Sequence, residues 1–83
     1  MQREPHLSNA ALMTRRSAAV ARGVGQAHEI FVSRAANAEL WDVEGRRYID
    51  FAGGIAVLNT GHCHPDITAA VKAQAELYSH TCF

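Results

Sequence analysis

The chain has 83 residues, with eight basic and eight acidic side chains and five histidines. Balanced charge without a long basic run leaves nucleic-acid binding with no electrostatic footprint. Apolar runs such as Ile55 to Leu58 are far too short to span a bilayer.

In chain order, residues 1–7 read as a loose polar tail. Arg3, Arg15, Arg16 and Arg22 lie among Ser and Ala, a composition shared with organelle transit segments, but no secretory apolar core accompanies them. Residues 8–25 read as a helix and turn. Ser8 is the expected N-cap of a helix through "NAALMTRRSAAV", with Leu12, Ala19 and Val20 sharing a face and Arg15 and Arg16 outside it. "RGVG" ends it, and Gly23 suits the left-handed position after a helix. That helix is thin and Ala-rich and needs a surface to lie on.

Residues 29–51 carry the antiparallel strands. "ELWDV" and "RRYIDF" flank Asp42-Val43-Glu44-Gly45, where Asp at the first place and Gly at the fourth predict a type I turn with a glycine bulge. Ile30 to Arg34 is a candidate third strand. Residues 52–64 form a loop, since Gly53-Gly54 breaks the strand and Asn59-Thr60-Gly61 predicts another turn. Residues 65–78 form a second helix. Pro65 fits its first position, where the missing N–H would have had no partner. Asp66 sits where the helix dipole favours an anion. Ile67, Ala70, Val71, Leu77 and Tyr78 fall near one stripe, with Lys72 and Glu76 outside. Stopping at "SHTCF" straight after a helix is expected to mark an interrupted domain.

A compact chain of this size would hide roughly 8,000 Å² on folding. The apolar share is worth about 120 kcal/mol at ~25 cal/mol/Å². Ordering the chain, at about 1.5 kcal/mol per residue, costs a similar amount. More chain or a partner is therefore expected to complete the core.

Four groups are candidates for chemistry. His62, Cys63 and His64 stand in a row, but zinc takes at least three protein ligands. The other candidates, His80 and Cys82, lie across a helix roughly 20 Å long. The bland reading is a turn whose imidazoles bond to backbone or solvent. Cys63 beside a histidine lacks a third orienting group for nucleophilic catalysis and reads as a small filler. Gly53-Gly54 matches no phosphate-loop spacing. Lys72 lies on a polar helix face, whereas a cofactor-binding lysine should be desolvated.

The run "WDVEGRRYIDFAGGIAVLNTGHCHP" and the ending "SHTCF" resemble the N-terminal segment of a class III, pyridoxal-phosphate-dependent aminotransferase. The pattern D-F-x-x-G-I-A-V-x-x-x-G-H-x-H-P carries most of the likeness. The 4-aminobutyrate and 5-aminovalerate enzymes are the most similar subgroup. The resemblance implies an α+β piece (N-terminal helix, small antiparallel sheet, second helix) of a fold-type-I α/β enzyme that forms dimers or pairs of dimers. It implies pyridoxal 5'-phosphate (PLP) as cofactor, and transfer of the amino group of 4-aminobutyrate to 2-oxoglutarate, giving succinate semialdehyde and glutamate. It places Ile55 in the substrate pocket, with Gly53 and Gly54 letting the backbone come close. An apolar branched side chain there suits the bare methylenes of an ω-amino acid. Ala21 and Glu29 stand where the family commonly has proline. No residue of this chain matches the family's cofactor lysine, phosphate-binding turn or substrate arginines.

The 83 residues alone are therefore expected to be inactive, with the remainder of an aminotransferase chain and a homo-oligomer partner completing the enzyme. The alternatives are a non-catalytic partner-binding module, or a small metal-binding domain at "HCH". Two unpatterned cysteines point to a reducing cytoplasm.

Overall fold

A computed structural model describes residues 7–82. The polar tail read over residues 1–7 lies, but for Leu7, outside the described residues, as does Phe83. The elements are α1 (Asn9–Ala19), β1 (Val32–Ala36), β2 (Glu39–Asp42), β3 (Arg47–Ile49), a one-turn segment α2 (Gly53–Ala56) and α3 (Pro65–Ala75). The strands form one antiparallel sheet in the order β1-β2-β3. The helix–sheet–helix order is the α+β arrangement expected from the sequence.

Ser8 caps α1, its hydroxyl accepting from the Ala11 amide at 3.1 Å. Two expectations for α1 are corrected. Arg16 lies on the inner side, because its guanidinium donates to the carbonyls of Val24 and Gly25 at 2.7 and 3.4 Å, while Ala19 and Val20 are exposed. The helix stops at an extended Val20, whose amide still bonds to Arg16 O. Gly23 is not among the glycines with positive φ. An extended residue ends the helix, so no left-handed glycine is needed.

The hairpin between β2 and β3 has the expected turn. Gly45 N donates to Asp42 O at 3.0 Å, and Gly45 adopts φ +83°. β1 pairs with β2 through Arg34↔Trp41 and Ala36↔Glu39, with a bulge between Val32 and Arg34. Ser33 Oγ covers the irregularity by bonding to the carbonyls of Trp41 and Asp42. Arg34 stacks over the Trp41 ring, 3.7 Å from its centroid.

Pro65 opens α3 as predicted, and the His64 imidazole caps it by accepting from Asp66 N. Ile67, Ala70, Val71 and Tyr78 line an open apolar groove of about 460 Å³ along one side of the helix. Leu77 lies past the helix end and is exposed.

Among the described residues no hydrophobic side chain is buried, and the one fully buried residue is Asp42, 2% exposed. The chain exposes 7283 Å², where a compact 9.0 kDa protein would expose about 4,900 Å². Its radius of gyration is 15.5 Å against about 12 Å for a compact chain of this length. Folding thus hides roughly 5,800 Å² instead of the 8,000 Å² expected of a compact domain. The near-balance of burial and ordering energies does not hold for these residues on their own.

Candidate functional site

The site is a loop held at its base. Asp50 N donates to Ala38 O at 2.8 Å where the loop begins. Where it ends, His62 forms a two-way bridge with Asn37, with N–O distances of 2.9 and 3.0 Å. The Asn37-Ala38 connection between β1 and β2 therefore grips both ends of the segment 51–61. Gly61 makes this approach possible. It sits at φ +78°, and a Cβ there would lie 2.9 Å from Asn37 O. The sequence "TGH" thus has a steric reason.

Side chains close the same base. Asp50 Oδ2 meets His62 Nε2 at 2.6 Å, and Asp50 Oδ1 accepts from Gly53 N at 2.9 Å. The His62 imidazole and the Gly53 amide together hold the Asp50 carboxyl below the ordinary carboxylate value. An ionised Asp50 makes His62 Nε2 the donor. A cleft of about 310 Å³ lies beside this pair, lined by Asn37, Ala38, Asp50, Gly53, Leu58 and His62 among others.

Within the loop, α2 is wound left-handed. Gly53, Gly54, Ile55 and Ala56 have φ of 56, 65, 65 and 62°. The glycines accept this freely, whereas an L-residue in left-handed helix costs about 1–2 kcal/mol. A β-branched residue there is a clear outlier. Backbone bonds from Ala56 N to Ala52 O and from Val57 N to Gly53 O, both 2.8 Å, hold the turn. Ile55 in this turn is 91% exposed, and Phe51 just before it is 95% exposed.

Gly53, Gly54 and Ile55 therefore share one short turn, with Ile55 fully presented. The sequence reading missed Asp50, and it assigned the imidazoles to backbone or solvent. His64 does bond to backbone, but His62 bonds to a carboxylate. The available signal was an Asp and a His bracketing a Gly-Gly loop. Cys63, at φ +52°, is exposed between His62 and His64. Among the described residues no three His, Cys, Asp or Glu side chains are grouped to hold a metal ion. No helix there is long and apolar enough to cross a membrane.

A second polar centre braces the hairpin. Asp42 accepts from Asn9 Nδ2, from the amides of Glu44 and Arg46, and from Tyr48 Oη at 2.9 to 3.1 Å. Burial alone would raise the Asp42 carboxyl, but these four donors outweigh it and lower it. Burial and the Asp42 carboxylate push the Tyr48 phenol up.

The family model for class-III aminotransferases matches residues 19–83. This chain belongs to the class-III aminotransferase family. It is 67% identical over 76 residues to the 4-aminobutyrate aminotransferase GabT of Escherichia coli K12, a match covering 92% of this chain and 18% of that protein. It is 63% identical over 76 residues to the 5-aminovalerate aminotransferase DavT of Pseudomonas aeruginosa, with the same coverage. Among solved structures, Plasmodium falciparum ornithine delta-aminotransferase superposes with a TM-score of 0.80 at 29% identity, covering 90% of this chain and 19% of that one. This class-III chain spans about a fifth of the length of the curated relatives it matches.

The described residues do not fit PLP by themselves. Lys72, the one lysine of the chain, stands exposed on α3. The loop cleft is lined by the Asp50 carboxylate, which repels a phosphate, and by no Lys or Arg.

Proposed function

We propose that these residues are the N-terminal part of a PLP-dependent aminotransferase that moves the amino group of 4-aminobutyrate to 2-oxoglutarate, giving succinate semialdehyde and glutamate. The observation that carries this reading is the 67% identity to a 4-aminobutyrate aminotransferase over nearly the whole chain. Ile55, with Gly53 and Gly54, lines the substrate pocket. Its exposed branched side chain packs on the substrate's methylenes without asking for a hydrogen bond. 5-Aminovalerate differs by one methylene, which an apolar pocket separates by only about 1–3 kcal/mol. It is the neighbouring substrate of the same class.

PLP and the groups that bind it come from the remainder of the enzyme, which functions as a homo-oligomer in the cytoplasm. The 83 residues alone are inactive. Two preparations test this: the isolated chain, and a chimaera in which it replaces the matching segment of the Escherichia coli relative. With PLP, 4-aminobutyrate and 2-oxoglutarate, the chain forms no glutamate and the chimaera does. Turnover by the isolated chain would refute the inactivity, and a folded chimaera without turnover would refute the assignment.

One observation favours a second reading, a non-catalytic module that binds a partner chain: among the described residues no apolar side chain is buried. A melting temperature that rises with concentration supports it. Sharp, concentration-independent unfolding of a monomer counts against it.

A further inference from the structure

We infer that Asp50 and His62 are positioning residues, which clamp the two ends of the loop 51–61 so that Ile55 is presented in its left-handed turn. The inference rests on the proposed role of Ile55 in the substrate pocket.

The backbone and the side chains do different things at the loop base. The bridge between Asn37 and His62, and the bond from Asp50 N to Ala38 O, already bring the two ends together. They set where the loop starts and stops. They leave the direction of the first turn open, because the residues after Asp50 touch neither Asn37 nor Ala38 through these bonds.

Direction comes from the carboxylate. One oxygen of Asp50 holds the amide of Gly53, the first residue of α2. The other holds the imidazole of His62, which is itself fixed by its backbone bridge. The orientation of Asp50, and with it the entry into α2, is thus referred to the far end of the loop. Sheltered side chains, 10% exposed for Asp50 and 23% for His62, keep water from competing strongly for the pair. A charge-assisted bond in such a place is stronger than a neutral one.

An L-residue would not take up the α2 conformation unaided. Ile55 and Ala56 lie at positive φ in a turn that Gly53 starts in the same hand. Removing His62 should therefore free Asp50 to rotate, release the Gly53 amide and let α2 relax, while the Asn37 bridge stays paired. This separates a positioning role from simple stapling, which would release both together.

The test uses the chimaera carrying His62→Ala, His62→Gln or Asp50→Ala. Hydrogen exchange at the Gly53 amide should speed up by about ten- to a hundredfold in His62→Ala, the size expected when a hydrogen bond to a charged group is lost. Exchange at the His62-position amide, which bonds to Asn37 O, should not change. KM for 4-aminobutyrate should rise by a similar factor while the bound-PLP absorbance stays the same. His62→Gln, which can still donate to Asp50, should recover most of both effects. Asp50→Ala combined with His62→Ala should be no worse than the poorer single variant, because the two act through one contact. Unchanged exchange at Gly53 in His62→Ala would overturn the inference, as would equal release at both amides. A wild-type chimaera without turnover would sink the proposed function, and the exchange result would still decide the clamp.

Discussion

Asn9 and Asp42, 33 residues apart, join α1 to the hairpin: Asn9 Nδ2 donates to Asp42 Oδ2 at 3.1 Å. The same Asn9 accepts from the Phe31 amide at 2.8 Å through Oδ1, and its own amide donates to Glu44. One side chain near the start of α1 thus ties the helix to the hairpin and to the residue that precedes β1. Asn9→Ala removes both side-chain bonds and leaves the Phe31 amide unpaired. A loss of about 1–3 kcal/mol in local stability is expected. Faster hydrogen exchange at Phe31 in the chimaera checks it, and protection equal to wild type would contradict it.

Much of the local structure was legible because it is decided within four or five residues. Ser8 as a cap, Asp42 and Gly45 as the ends of a turn and Pro65 as a helix start follow from side chains acting on their own neighbourhood. The Asp42 centre and the Asp50–His62 pair were not legible, since their partners lie far along the chain and neither has a characteristic spacing. Asp42 shows the division within one residue. Its turn role was expected from the sequence. Its bonds to Asn9 and Tyr48 depend on how the helix docks and the strands pair. The handedness of α2 also escaped, because Gly53-Gly54 signals a break and Ile55 argues against a left-handed turn. Gly61 was recognised as a turn glycine, but its close approach to Asn37 needed the bridge to be seen.

Gly61→Ala meets both obstacles at once, a positive φ and a Cβ 2.9 Å from Asn37 O. Such a change at an incompatible position destabilises by more than about 1 kcal/mol. The expected result is loss of the Asn37–His62 bridge, read as fast exchange of both amides. Gly25→Ala, with open space around it, serves as the control and should leave that bridge intact.

Acid should loosen the two carboxylate centres together. Asp42 and Asp50 both have folded pKa values below the ordinary 3.8. Their contribution is complete above that value and is lost as pH falls through the lower folded values. Tyr48 has the opposite sign. Its folded pKa lies above 10.0, so its contribution is complete below pH 10 and is lost as pH rises through the folded value. Near-ultraviolet circular dichroism of the chimaera, with Asp42→Asn and Tyr48→Phe as comparisons, should show an acid transition that weakens in the first and an alkaline one that weakens in the second.

Ile55 sets stability against function. Glycine accepts the left-handed turn without the cost of about 1–2 kcal/mol that an L-residue carries. Ile55→Gly should therefore protect the α2 amides more strongly. If Ile55 lines the substrate pocket as proposed, the same change removes its apolar surface and should lower kcat/KM for 4-aminobutyrate by about tenfold or more. Better protection with unchanged kcat/KM would remove Ile55 from the substrate pocket.

The most direct measurement of the central claim is glutamate formation by the wild-type chimaera, supplied with PLP, 4-aminobutyrate and 2-oxoglutarate. If these residues are an aminotransferase segment that lacks only the rest of its enzyme, the chimaera should turn over within about tenfold of the Escherichia coli parent, a difference of about 1.4 kcal/mol in the barrier. A chimaera that folds and binds PLP but forms no glutamate would contradict it.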